Sequence, residues 1–421
     1  MGWRKLSMNN IKEYKLNELY RMDSGIGTTK EQANHGAPFI SFSDIYNNEI
    51  LPEELTEKMD TTKDEQEKYS VKKGDILITR TSETLDELAM SSVALKDYPN
   101  ATFSGFAKRL RPIQTNITYD KFMAFYMRSE YFRKIINSKA VMTLRASFND
   151  AIFSYIRILL PNYDEQVKIG DLFYEIEKKI RLNLKINREL EETAREIYNY
   201  WFLQYEFLHN TNKHYIYNNE TKRNIPDEWS IKKISEIVEL VSGYAFSTAE
   251  YDEKGKYKLY TIKNVQDGNI LTNVDNKIKN IPNSMPTKCN LVPNDIIMSL
   301  TGNVGRVGIV YENNALLNQR VLKLIPKNNH IAYIYLLFRD TYMKNMMERI
   351  STGTSQKNLS PVDVGNLKIP VPDENTLNNF DELCNGMIYK IVKNLEEIEE
   401  LKKTRNYLLP LLMNGQAKIK N

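Results

Sequence analysis

Two stretches of this chain, 211 residues apart, carry the same apolar pattern without a gap. Asp164 to Phe207 contains no proline and one glycine, Gly170, and places apolar residues at Ile169, Leu172, Ile176, Ile180, Leu184, Leu190 and Ile197. That spacing predicts a helix with one apolar seam. At about 1.5 Å per residue the helix would run about 60 Å, longer than a small domain is wide, so it needs a partner along its length. Asp373 to Asn414 supplies one through Phe380, Leu383, Met387, Ile391, Leu395, Ile398, Leu401 and Leu408. Pro161 falls on Pro372, Leu172 on Leu383, Ile180 on Ile391 and Thr193 on Thr404.

The segments before the helices repeat as well. Leu16 to Leu19 with Ser24-Gly25 matches Ile234 to Ile237 with Ser242-Gly243. ISFSDI (40–45) matches YTIKNV (260–265) as a strand pair. VKKGDILITRTS sits on VPNDIIMSLTG with Asp75 on Asp295, and FSGFAKRLRP sits on LNQRVLKLIP with Pro112 on Pro326. Such a ladder of matches marks an internal repeat. The expected organisation is a first globular domain over 1–160, a central helix over 161–208, a linker read as loop over 209–227, a second globular domain over 228–370, and a C-terminal helix and tail over 371–421. Each helix is entered from its own globular part. Helices sharing one seam must therefore run antiparallel, which predicts an α+β dumbbell with a pseudo-two-fold axis across a coiled coil.

At 421 residues the chain is long enough for two or three cores. It has no apolar run near bilayer length and no signal-peptide pattern at its N-terminus, so the expected location is the cytoplasm and no membrane partner is expected. Two cysteines and four scattered histidines support neither a disulfide framework nor a metal site. The net charge of +4 is unevenly distributed. Residues 164–206 carry 10 acidic and 7 basic side chains and 373–414 carry 8 and 5, which leaves +10 on the remainder. Basic globular parts beside acidic helices point to an anionic ligand, nucleic acid first, against the plainer reading of a solubility bias.

Several short motifs then fall in a recognisable order. They are Gly74-Asp75-Ile76, Pro161-Asn-Tyr-Asp-Glu165-Gln166, Trp201-Phe202, the IPDEW that opens the second globular part, and the terminal LLPLLMNGQAKI. Over essentially its whole length the chain resembles the DNA-specificity subunit of type I restriction-modification systems. In that family two target-recognition domains are separated by two long helices forming an antiparallel coiled coil. The sequence departs from the family pattern at Asn375, where EQ is expected, and at Asn294, where the strand motif loses its glycine. Pro410 is expected to bend or end the second helix near its last turns. The resemblance implies binding of a bipartite site in double-stranded DNA and no catalysis in this chain. Methylation of adenine with S-adenosylmethionine would belong to two modification subunits. Translocation and cleavage with ATP and Mg would belong to restriction subunits.

Candidate DNA-contacting residues follow from side-chain chemistry. Ser299 to Gly308 holds Gly302, Gly305 and Gly308, so its backbone can approach a phosphate or groove edge, and Thr301, Asn303 and Arg306 are its polar groups. A tight turn needing positive φ explains the glycines equally well. The counterpart after Asp75 offers Arg80, Thr81 and Ser82. Asn318, Gln319 and Arg320 can make two-pronged bonds to base edges. They are read on a β-like run, where alternate residues face opposite ways. Lys108, Arg109 and Arg111 suit phosphates. Arg145 and Asn149 in one polar loop, and Ser355, Gln356 and Lys357 in its counterpart, suit backbone positioning. Trp201, Phe202, Tyr198 and Tyr205 read as packing of a helix end.

Two other functions compete. Pro226-Asp227 with Asp252-Glu-Lys254 satisfies a nuclease-like PD…DxK spacing, but it has no counterpart in the repeat and lies half in the linker. A coiled-coil scaffold with no DNA role would explain the helices but not the basic excess outside them.

Overall fold

The first strand of each repeat closes onto its last. In the computed structural model, which describes residues 11–82, 87–139, 146–206, 214–353 and 356–419, Ile11–Lys15 pairs antiparallel with Arg157–Pro161, and Ser230–Lys233 with Lys368–Val371. The chain divides into two compact units, Met1–Ile180 with Glu400–Asn421, and Arg181–Glu399.

Each unit holds a four-stranded antiparallel sheet of the same order. In the first, Tyr20–Ser24, Ala107–Pro112, Ile76–Thr79 and Ser91–Val93 lie side by side; in the second, Val238–Ser242, Val321–Pro326, Ile296–Ser299 and Val307–Ile309 do so. Asp75 and Asp295 sit just before the third strand of each. Asp75 is buried, accepts from the Lys72 N–H at 2.8 Å, and takes a two-pronged bond from Arg111 at 2.8 and 2.6 Å. Asp295 accepts from the Val292 N–H at 2.8 Å and from Lys323 at 2.6 Å. The residue before it is left-handed in both copies, with Gly74 at φ 88° and Asn294 at φ 76°. Asparagine tolerates that region, which is why the motif survives the loss of its glycine.

Helices follow the same repeat. Lys121 to Ser138 forms two helices, Asp120–Tyr126 and Glu130–Lys139. The Ser129 hydroxyl, accepting from the Phe132 N–H at 3.3 Å, starts the second. Asp340 does the same between Ile331–Arg339 and Thr341–Ile350, accepting from Tyr342 and Met343.

The central helix runs Tyr163–Tyr198 and adds a π turn over Asn199–Leu203. The C-terminal helix runs Glu374–Met413, through Pro410 and ending three residues beyond it. In the second unit Asn183 donates to Glu397 at 2.9 Å, Asn187 donates to the Ile391 carbonyl at 3.4 Å, and Asn394 donates to Asn187 at 2.7 Å. In the first unit Arg405 donates to Glu177 at 3.0 Å. Rising numbers on one helix meet falling numbers on the other, so the pairing is antiparallel.

The inward positions are Phe173, Ile176, Ile180, Asn183, Asn187, Leu190 and Ala194 on one helix, and Leu377, Phe380, Cys384, Met387, Ile391, Asn394 and Ile398 on the other. These alternate three and four apart, as in a coiled coil. Leu184 and Leu383, expected on the seam, are 49% and 52% exposed, because Asn183 and Asn187 occupy the inward sites beside the first and Phe380 and Cys384 those beside the second.

Gln166, of the EQ pair, is buried at the start of the central helix. It donates to the carbonyls of Ile117 and Pro161 and accepts from the Tyr119 N–H. In the second unit His330 ties the helix start down instead, with Nδ1 2.5 Å from Asp381 and Nε2 3.1 Å from Glu374. Trp201, Phe202 and Tyr198 are buried against Phe380 and Tyr333, with the Phe202 and Phe380 ring centres 4.8 Å apart. They are core, each burial contributing about 1.5–3 kcal/mol. Leu412 and Met413 enter the core of the first unit beside Phe173.

Two expectations about local structure fail. The linker is not all loop: Tyr215–Asn218 and Arg223–Pro226 form a hairpin. The alternation Tyr-Ile-Tyr favours a strand, and the Asn218 side chain accepts from the Glu220 and Thr221 N–H groups to fold the turn. ISFSDI is not a strand throughout. It leaves the sheet at Ile40 and turns helical over Phe42–Asn47, because Ser41 and Asp44 form a reciprocal capping box. Among the described residues no helix is long and apolar enough to cross a membrane.

Candidate nucleic-acid interface

In each unit three loops are bonded to one another at the end of the four-stranded sheet. In the first, the Arg80 N–H donates to the Phe106 carbonyl at 2.8 Å and the Phe148 N–H donates to the Arg80 carbonyl at 2.7 Å. Thr81–Ser82 pairs with Ala146–Ser147. In the second, Leu300 donates to the Arg320 carbonyl at 2.9 Å and Leu359 to the Leu300 carbonyl at 2.8 Å. Thr301 bridges to Asn358, as Thr81 pairs with Ser147. The same backbone crossing is built twice.

A fourth segment closes on each crossing through a glycine. A Cβ on Gly25 would stand 2.1 Å from the Ser104 carbonyl oxygen, and one on Gly243 would stand 2.0 Å from that of Asn318. No other residue fits there, which accounts for the repeated Ser-Gly.

At the first crossing Arg80 and Phe106 are exposed, Thr81 and Ser82 half-buried, and Lys108 half-buried with its amine 2.9 Å from the Ser24 hydroxyl. At the second, Asn303, Gln319, Arg320, Gln356 and Lys357 are exposed and Asn318 is half-buried. Arg306 is half-buried and donates to Gln266 at 2.7 Å, which fixes its guanidinium. Lys357 lies 3.2 Å from Glu348. Arg145 and Ser355 lie outside the described residues.

Asn318, Gln319 and Arg320 form a turn between Ala315–Leu317 and Val321–Pro326, closed by the Val321 N–H on the Asn318 carbonyl at 3.1 Å. Strand alternation therefore does not separate them, and Gln319 and Arg320 both face solvent. Arg320 is left-handed, with φ 73°.

Four candidates hold the fold instead. The Arg109 side chain is 3% exposed, pairs with Asp23 at 2.8 Å and donates to the Ser70 carbonyl. Arg111 is spent on Asp75 and the Ser70 carbonyl, and its bond to Asp75 holds its pKa above the ordinary value. Asn149 caps the helix Asp150–Tyr155 by accepting from the Ile152 N–H at 3.0 Å. Thr301 is 3% exposed, and its hydroxyl has no hydrogen-bond partner among the described residues. Two of the three glycines in the following loop serve packing. A Cβ on Gly305 would meet Met347 at 2.9 Å, and one on Gly308 the Asn269 carbonyl at 2.7 Å, whereas one on Gly302 would meet only Ile262, at 3.9 Å, and its φ is 73°.

Sequence reasoning missed Phe106, 66% exposed at the centre of the first crossing. Its match to Arg320 in the aligned repeat was the available signal. The nuclease-like spacing does not assemble: Asp252 pairs with Lys279 at 2.7 Å and caps its own turn at Lys254. Among the described residues no group of three or more His, Cys, Asp or Glu side chains could hold a metal ion.

Comparison with known proteins agrees with this geometry. The family described as type I restriction modification DNA specificity domain matches twice, over residues 8–192 and 226–410. The chain is 26% identical over 404 residues to the type I restriction enzyme MjaIX specificity subunit of Methanocaldococcus jannaschii, covering 93% of this chain and 89% of that one. It is 22% identical to the HindI specificity subunit of Haemophilus influenzae, covering 97% and 100%. The fold matches the crystal structure of the type I restriction-modification S subunit from M. genitalium, with TM-score 0.63, 17% identity and 98% of each chain covered. With its two matched segments and its twice-built loop crossing, the chain belongs to the family of type I restriction-modification DNA specificity subunits.

Proposed function

We propose that each unit reads one half of a bipartite site in double-stranded DNA, through its own loop crossing. The carrying observation is the duplication of that crossing on one backbone framework with different exposed side chains, Arg80 at the first and Gln319 and Arg320 at the second. Arginine can bond guanine O6 and N7 together and glutamine can bond adenine N6 and N7, so different side chains on one framework select different bases. Lys108 and Lys357 suit phosphates, and Arg145 and Ser355 remain candidates from the sequence. The chain directs catalytic partners: two modification subunits methylating adenine with S-adenosylmethionine, and restriction subunits using ATP and Mg. The paired long helices set the spacer between half-sites. The test is selection of bound duplexes from a randomised library by the full chain. The expected result is one motif of two specified blocks with a fixed unspecified spacer. A single contiguous motif, or no preference at low salt, would reject the reading.

A further inference from the structure

The two crossings carry their exposed arginine on opposite partners of one conserved backbone bond. The turn Ser104–Ala107, closed by the Ala107 N–H on the Ser104 carbonyl at 2.9 Å, is matched by Asn318–Val321, closed at 3.1 Å, with Arg320 left-handed where Phe106 is not. Its third residue is Phe106 in one copy and Arg320 in the other. The residue bonded to that carbonyl is Arg80 in the first copy and Leu300 in the second. Leu300 is 5% exposed, so the second crossing presents Arg320 alone from this pair, whereas the first presents Arg80 and Phe106 together. The Arg80 and Arg320 side chains are both exposed, and neither guanidinium has a partner among the described residues.

The Phe106 backbone is pinned. The Ser104 hydroxyl accepts from its N–H at 3.3 Å, and Gly105 packs so tightly that a Cβ there would stand 2.9 Å from the Ile26 carbonyl oxygen. The turn therefore places an exposed ring on the residue whose carbonyl accepts from the Arg80 N–H. An exposed aromatic ring on the same crossing as an arginine suits a thymine methyl near a guanine edge.

Resting on the proposed reading of DNA by each crossing, we infer that Phe106 is a specificity-determining residue, contacting a thymine methyl beside the guanine held by Arg80. The corresponding position in the second unit, Arg320, takes guanine without such an apolar neighbour. The two half-sites are therefore read by one framework with its polar and apolar positions exchanged.

The experiment repeats the library selection with full-length Phe106→Ala, Phe106→Leu and Arg320→Ala chains, each checked for an unchanged thermal midpoint. Phe106→Ala is expected to lose a thymine preference in one block only, and Phe106→Leu to keep most of it. Arg320→Ala is expected to lose a guanine preference in the other block. On the wild-type site, deoxyuridine in place of that thymine removes only the methyl. It should weaken wild-type binding about 2- to 5-fold and leave Phe106→Ala unaffected. If the wild-type chain selects no two-block motif, the reading of the crossings fails and this inference with it. If the motif forms but Phe106→Ala leaves it unchanged, or deoxyuridine weakens both chains equally, only the inference is overturned.

Discussion

Asp75 and Arg80 stand five residues apart and do opposite work. Asp75 is buried and holds Arg111 and a loop N–H, whereas Arg80 faces solvent and, among the described residues, is engaged only through its backbone. Asp75→Ala is expected to destabilise the fold by about 2–3 kcal/mol, toward the lower end for breaking a charged pair because Arg111 keeps some access to water. Arg80→Ala is expected to change stability by less than about 0.5 kcal/mol while weakening DNA binding. Urea midpoints at constant m separate the two. Sequence alone ranked Arg109 and Arg111 beside Arg80 because a basic run looks the same whether its partners are phosphates or the protein's own carboxylates. Asp23 and Asp75, 86 and 36 residues away, decide the matter, and no local pattern shows them. His330 makes a second prediction. The Asp381 hydrogen bond holds its pKa above the ordinary 6.5, with burial opposing and Glu374 assisting. A raised folded-state value stabilises fully below 6.5, and that contribution is lost as pH rises through the raised value. The stability gap between wild type and His330→Gln should therefore be largest in acid and shrink in alkali; a gap growing with pH would exclude the charged histidine.

Among the elements, the long helices were legible from the sequence to within a few residues, because their apolar period extends over many turns. Their seam was not. Asn183, Asn187 and Cys384 occupy inward positions, so a search for large apolar residues slides onto Leu184 and Leu383. Buried asparagines fix register at a cost in stability. Asn394→Leu alone should cost about 1–3 kcal/mol by leaving the Asn187 carbonyl oxygen without its donor. Asn187→Leu with Asn394→Leu should recover most of that loss. A double variant no more stable than the single would mean that the pair does not act as a unit. The same pairing gives the helices a length test. Heptads inserted opposite one another, after Glu189 and after Lys390, add about 10 Å at the helical rise, or about three base pairs at about 3.4 Å each. Three base pairs also rotate the far half-site by over a quarter turn at about 10.5 per turn. Selection by the lengthened chain should move toward longer spacers or lose its two-block motif. Full binding at the original spacer would mean that something else sets the distance.

For the whole molecule, duplication was the most legible property, since an offset near 211 recurs from caps to core. Asn149 and Ser360 cap equivalent helices, Ser129 and Asp340 start equivalent ones, and Arg128 and Arg339 are charged groups tied down at equivalent helix ends. The loop crossings were less legible, because they join residues 20 to 68 positions apart through backbone bonds that leave no side-chain signature. The central claim is that one framework, used twice, reads two half-sites independently. Hydroxyl-radical footprinting of the full chain on its selected duplex tests this most directly. Two protected blocks flanking an unspecified interval are expected, the first fading in Arg80→Ala and the second in Arg320→Ala. A single continuous footprint, or both blocks fading together in either variant, would contradict it.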